Sequence, residues 1–118
     1  MNELKTLRVG ILGFGTVGQG TWKHLSENES AWERILGIRL VPTRASVRSL
    51  NKERTVSVDS TVLTVDSRSI VDDPDIDIIC ELIGGVEEAR ELTLRAFEQG
   101  KPVITANKAL IREHGDEL

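Results

Sequence analysis

Gly13, Gly15 and Gly18 stand in the spacing G-x-G-x-x-G within "VGILGFGTVGQG", Val9 to Gly20. Glycines in this pattern bring backbone, not side chains, against an anion. The first permits a tight turn, the second lets the chain approach a pyrophosphate, and the third lets a helix pack close to a strand. An apolar run, "LRVGIL", precedes the motif and a helical pattern follows it. The ligand's charge would then rest on the free N–H groups of a helix start, around Thr16 and Val17, with Phe14 between the first two glycines. The plainer alternative is a glycine-rich turn that only packs. Gly20 is explained by neither reading, and inside a helix it costs about 1 kcal/mol relative to alanine.

Two further loops carry chemistry-bearing residues. "IGG" (Ile83, Gly84, Gly85) follows the most apolar stretch of the chain, and "TANK" (Thr105 to Lys108) follows the next. Asn107 is a good N-cap, which puts Lys108 in the first turn of a helix, where a cation opposes the macrodipole by roughly 0.3–1 kcal/mol. A lysine at such a position, beside a ligand cleft, is a candidate for proton transfer. Arg48 lies near the end of the second apolar stretch, where dinucleotide sites usually carry an acid about 20 residues past the glycines. Here the stretch reads "SVRSLNKER", with no acid until Glu53 and with Lys52 and Arg54 nearby. Bases there favour a 2′-phosphate, hence NADP over NAD, unless the loop is only a solvated basic one.

The elements that must position these residues follow from the pattern of the chain. Apolar runs alternate with amphipathic stretches, which predicts an α/β doubly wound parallel sheet, a Rossmann-type domain of three αβα layers. Strands are predicted at Leu7 to Leu12, Ile38 to Val47, Thr61 to Val65, within "DIDIICELIGG", and at "PVIT". Pro42 demotes part of the second strand or marks a bulge. Helices are predicted from Thr16 to about Asn28, over "SAWERILG", over "VEEARELTLRAFEQG" and over "ALIREHGDEL". Gly18, Trp22 and Leu25 share one face of the first, and Val86, Ala89, Thr93, Ala96 and Phe97 one face of the third. In the strand order 3-2-1-4-5, ligands bind beyond the carboxyl ends at the switch point, so "GFGTVG", "IGG" and "TANK" should open into one cleft.

Composition bounds the function classes. The 118 residues suffice for one domain, and 39% hydrophobic and 29% charged residues are ordinary for a soluble protein. A net charge of −4 argues against a nucleic-acid or anionic-membrane partner. No apolar stretch approaches the roughly 20 residues of a membrane span. The single cysteine, Cys80, lies in an apolar run and reads as core, and together with the absence of a signal peptide it fits the cytoplasm. "DDPDID" lacks the glycine and glutamate of a calcium loop, and His24 and His114 have no partners at ligand spacing, so no metal site is read.

Taken together, "GILGFGTVGQG", "VRSLNKER", "ICELIGG", "GKPVITANKALI" and "EHGDEL" resemble the N-terminal region of homoserine dehydrogenases over essentially the whole chain. "GFGTVG" alone is shared with many dehydrogenases; E-L-I-G-G together with T-A-N-K-A-L is far more specific. The resemblance implies a cofactor domain over residues 1–118 of an enzyme that interconverts aspartate semialdehyde and homoserine with NAD(P)H, towards threonine and methionine. It implies that Phe14, Gly15, Thr16 and Val17 line the pyrophosphate site. It implies that Lys108 sits near nicotinamide and substrate, for proton transfer or cofactor contact, and that Glu81 supports its loop. The chain departs from the family at Ser49, where an acid is frequent, and in length. A substrate-binding, dimerising region would follow Leu118 in a homodimeric parent acting on a small amino acid. Two other readings stay open: another amino-acid or semialdehyde dehydrogenase, or a nucleotide-sensing module without chemistry.

Overall fold

The computed structural model describes residues 5–48 and 58–118. Five strands form one sheet in the order β3-β2-β1-β4-β5, every pair parallel. They are β1 (Lys5–Leu12), β2 (Ile38–Ser46), β3 (Leu63–Thr64), β4 (Ile78–Glu81) and β5 (Val103–Thr105). Helices α1 (Thr16–Glu27) and α2 (Glu29–Leu36) join β1 to β2, α3 (Ser67–Val71) precedes β4, α4 (Glu87–Glu98) joins β4 to β5, and α5 (Lys108–His114) follows β5.

Alternation along the strands explains the layers. Side chains of successive strand residues point to opposite faces. Val9 and Ile11 of β1 and Cys80 of β4 therefore join Phe14 and Ala45 in one buried cluster, which Trp22 and Leu25 of α1 cover. Leu12 and Ile79 point the other way and meet Ile70 and Val71 of α3 and Leu92 and Ala96 of α4. Both faces of the second half of β1 and of β4 are thus buried, as their apolar runs require. Burying each such side chain fully contributes about 1.5–3 kcal/mol.

One local expectation resolves and two change. Val9 pairs with Pro42 but Gly10 pairs with Arg44, so the bulge announced by Pro42 falls at Thr43. The third strand is shorter than Thr61 to Val65: a 3-10 turn over Ser60–Val62 takes its first half. Phe97 is 42% exposed, and Leu92 fills the core position on α4 instead. One helix, α3, was not legible at all. Its start is capped by Asp66, which accepts from Arg68 N–H at 3.1 Å. Its end is closed by Lys101, buried, whose Nζ donates to Val71 O and to Asp73 O. Burial lowers the pKa of that ammonium, against the pull of Asp73, Asp72 and Asp77.

Among the described residues, no helix is long and apolar enough to cross a membrane.

Candidate functional site

The Gly-rich turn leaves β1 and enters α1 with two positions that tolerate no side chain. Gly13 has φ +97°, and a Cβ there would meet Leu82 O at 2.8 Å. Gly18, one turn into α1, would put a Cβ 2.0 Å from Gly13 O. The helix start is therefore pressed onto the turn, the close packing predicted for the third glycine of the motif. Gly15 differs: a Cβ would meet nothing within 4 Å, so its backbone faces open space. Gly15, Thr16 and Val17 are exposed, and no side chain caps α1. The first N–H groups of any α-helix lack intrahelical acceptors. Here they form a bare, partly positive end at the carboxyl edge of the sheet, which fits an anionic ligand.

Beside this turn lies a cavity of about 480 Å³. Gly13, Phe14 and Gly15 line it from one loop, Leu82, Ile83 and Gly84 from the next, and Ser46, Val47 and Arg48 from the end of β2. The loops after β1 and β4 thus meet as the strand order predicts. Arg48 is exposed at the rim. Ser49, Lys52, Glu53 and Arg54, which bear on the cofactor reading, lie outside the described residues.

The third loop sits differently. Neither Asn107 nor Lys108 lines the cavity; the TANK loop stands behind the IGG loop and braces it. Asn107 Oδ1 caps α5 by accepting from Leu110 N–H at 3.0 Å. Its Nδ2 donates to Gly85 O at 2.6 Å and to Ile83 O at 3.3 Å. Gly85 holds φ +95°, a left-handed backbone conformation that favours glycine. Glu81 is fully buried and completes the brace: Ile83 N–H donates to Oε2 at 2.8 Å and the Thr105 hydroxyl to Oε1 at 2.7 Å. Both oxygens hold the loop, the supporting role expected of this residue. Lys108 is the first residue of α5 and is exposed.

Sequence reasoning missed several cavity residues. Ser46 and Ser67 line it as a hydrogen-bonded pair. Val65, 61% exposed, adds an apolar wall, and Glu88 an acidic rim. Three of these four, Val65, Ser67 and Ser46, gather around the start of α3, the unread helix. His114, read as having no partner at ligand spacing, lies 3.4 Å from Glu87 across the α4–α5 contact. Burial raises the pKa of the Cys80 thiol, in keeping with a core residue.

The sequence pattern of "Homoserine dehydrogenase, NAD binding domain" matches residues 13–118. A homoserine dehydrogenase of Methylobacillus glycogenes is 48% identical over 108 residues, covering 92% of this chain and 26% of that protein. A crystal structure of a homoserine dehydrogenase from Thiobacillus denitrificans superposes with a TM-score of 0.89 at 43% identity, covering 99% of this chain and 27% of that one. The S. aureus homoserine dehydrogenase at pH 6.5 gives 0.88 at 35% identity, covering 98% and 29%. The chain thus spans about a quarter of the length of the relatives it matches. It belongs to the homoserine dehydrogenase family, of which it forms the NAD-binding domain, and its ligand is a nicotinamide dinucleotide.

Proposed function

We propose that the chain is the cofactor-holding part of an enzyme that interconverts L-homoserine and L-aspartate 4-semialdehyde, with NADP(H) preferred over NAD(H). The observation that carries this reading is the meeting of the Gly13–Gly15 turn, the IGG loop and Arg48 around one cavity at the carboxyl ends of a parallel sheet. In this reading Phe14, Gly15, Thr16 and Val17 line the pyrophosphate, Gly13 and Gly18 shape the turn that presents them, and Ile83, Gly84, Gly85 and Asn107 support the nicotinamide half. Arg48 takes the 2′-phosphate, since a guanidinium can offer it two parallel hydrogen bonds.

When bound, the nicotinamide ring supplies the hydride chemistry. The chain's own task is to hold that ring beside the substrate and to handle the substrate's proton. Lys108 follows Asn107, which is bonded to the IGG loop, and its flexible four-carbon stem gives it reach. Its Nζ takes the hydroxyl proton as homoserine is oxidised and returns it in reduction. The substrate site and the homodimer interface belong to further chain of the parent, in the cytoplasm; a net charge of −4 keeps the domain from nucleic acid and membrane surfaces.

Calorimetric titration of the chain with NADP⁺ and NAD⁺ tests the reading. Tighter NADP⁺ binding is expected, with the two affinities drawn together in Arg48→Ala. Equal affinities in the unaltered chain would overturn the preference, and binding of neither dinucleotide would overturn the whole assignment.

A further inference from the structure

The start of the Gly-rich turn is held by a single residue of another strand. Ser46, the last residue of β2, is buried. Its main-chain carbonyl accepts from Phe14 N–H at 2.9 Å, and its Oγ accepts from Gly13 N–H at 3.1 Å. The hydroxyl of Ser67, the first residue of α3, donates to the same Oγ at 2.8 Å. Three donors from two elements thus converge on one side chain and its own carbonyl. The Gly13 N–H points to Ser46, so it is unavailable to a ligand; the bare N–H groups of α1 begin further on.

We infer that Ser46 and Ser67 are positioning residues for the dinucleotide: the hydroxyl pair sets the pose of the Gly13–Phe14 peptide and hence the aim of the α1 start at the pyrophosphate. This rests on the proposed dinucleotide site. The reason is geometric. Gly13, at φ +97°, is the one residue between β1 and α1 with a positive φ, and glycine by itself does not favour that conformation strongly over others. The turn is fixed on the β4 side by Leu82 N–H donating to Leu12 O at 2.8 Å. On the β2 side only Ser46 holds it among the contacts of the described residues. The Ser67 hydroxyl, donating to Ser46 Oγ, opposes rotation of that side chain away from the Gly13 N–H.

The pair also gives α3 a role beside the cavity. Its first residue supplies a hydroxyl at the level of the strand ends, while Ile70 and Val71 anchor it in the core.

Ser67→Ala and Ser67→Thr test the inference, because Ser67 is only partly buried and neither change disturbs the core. Dinucleotide affinity by calorimetry and amide exchange of Gly13 by NMR are measured together with the melting temperature. Ser67→Ala should weaken binding about three- to tenfold, at most the size of one hydrogen bond, speed exchange of the Gly13 amide, and lower the melting temperature by no more than the few degrees one hydrogen bond accounts for. Ser67→Thr should restore both. Unchanged Gly13 exchange in Ser67→Ala would overturn the inference, as would unchanged affinity. The exchange measurement needs no ligand, so it decides the positioning role even if the unaltered chain binds neither dinucleotide, a result that would instead overturn the proposed function.

Discussion

A methyl group at position 18 and a methyl group at position 15 are the same chemical change with opposite consequences. At Gly18 the new Cβ would lie 2.0 Å from Gly13 O, a backbone atom that cannot rotate away. Gly18→Ala should therefore cost about 1–3 kcal/mol or more by overpacking and lower the midpoint of urea unfolding. At Gly15, with φ −80°, alanine meets nothing, so Gly15→Ala should unfold within about 0.5 kcal/mol of the unaltered chain. It should nevertheless lose dinucleotide affinity, since its Cβ stands where backbone and ligand must approach. A Gly15→Ala chain that binds as before would remove Gly15 from the site. Lys108 gives the other residue-scale prediction, for the longer parent enzyme. Loss of a positioned proton-transfer group commonly costs 10²–10⁴-fold in rate. Lys108→Ala should thus lose kcat heavily and leave NADPH affinity nearly intact, and Lys108→Arg should not restore turnover. Surviving turnover with collapsed affinity would make Lys108 a cofactor clamp. Gly13 and Gly18 were legible in the sequence because each answers a backbone constraint that other residues cannot meet. Ser46 was not, because a serine at a strand end has no signature until its three donors are seen in space.

At the scale of elements, what was legible tracks length and periodicity. The runs of β1 and β4 and the 12-residue helices α1 and α4 are long enough to show their periods. The five residues of α3, "SRSIV", are too few for any period and sit in a polar context. The helix exists through its Asp66 cap, the Lys101 closure and the burial of Ile70 and Val71, all but the cap being tertiary. Phe97 misled for a related reason: helical spacing admits both it and Leu92, and only the position of β4 and β5 selects between them. The TANK loop was rightly read as a helix cap but not as a brace. Asn107 separates the two roles by atom, with Oδ1 capping α5 and Nδ2 bound to Gly85 O and Ile83 O. Asn107→Asp keeps the cap acceptor and loses the brace; Asn107→Ala loses both. Alanine should cost about 0.5–2 kcal/mol in stability and weaken dinucleotide binding, whereas aspartate should retain most of the stability and still weaken binding. If aspartate binds like the unaltered chain, the brace is irrelevant to the site.

For the whole molecule, strand order followed from the sequence because right-handed crossovers and a switch point leave few arrangements of five parallel strands. That the TANK loop would stand outside the cavity did not follow, since lining depends on ångström-scale loop heights that no pattern encodes. The same sheet also sets how the chain responds to acid. Its α3–α4 layer is fastened at the surface by Asp72, to which Arg95 donates from Nε at 2.6 Å and from a terminal nitrogen at 2.7 Å. These bonds, then that from Gln99, lower the Asp72 pKa to about 2. A carboxylate whose folded pKa lies below its unfolded value of about 3.9 stabilises the fold fully above the unfolded value. That contribution is lost as pH falls through the folded one. Asp59, held by Thr61, and Glu117, held by Arg90, shift in the same direction. Stability should therefore be level near neutral pH with respect to these groups and fall from about pH 4 towards pH 2. Because the Asp72–Arg95 pair is well over a third exposed, the effect is that of a surface pair and should shrink in high salt. Asp72→Asn isolates its share. Urea midpoints for the variant should lie below those of the unaltered chain at pH 7, and the gap should close as pH approaches 2. A gap independent of pH would mean that Asp72 fastens the two helices by shape and neutral hydrogen bonds, and not through its charge.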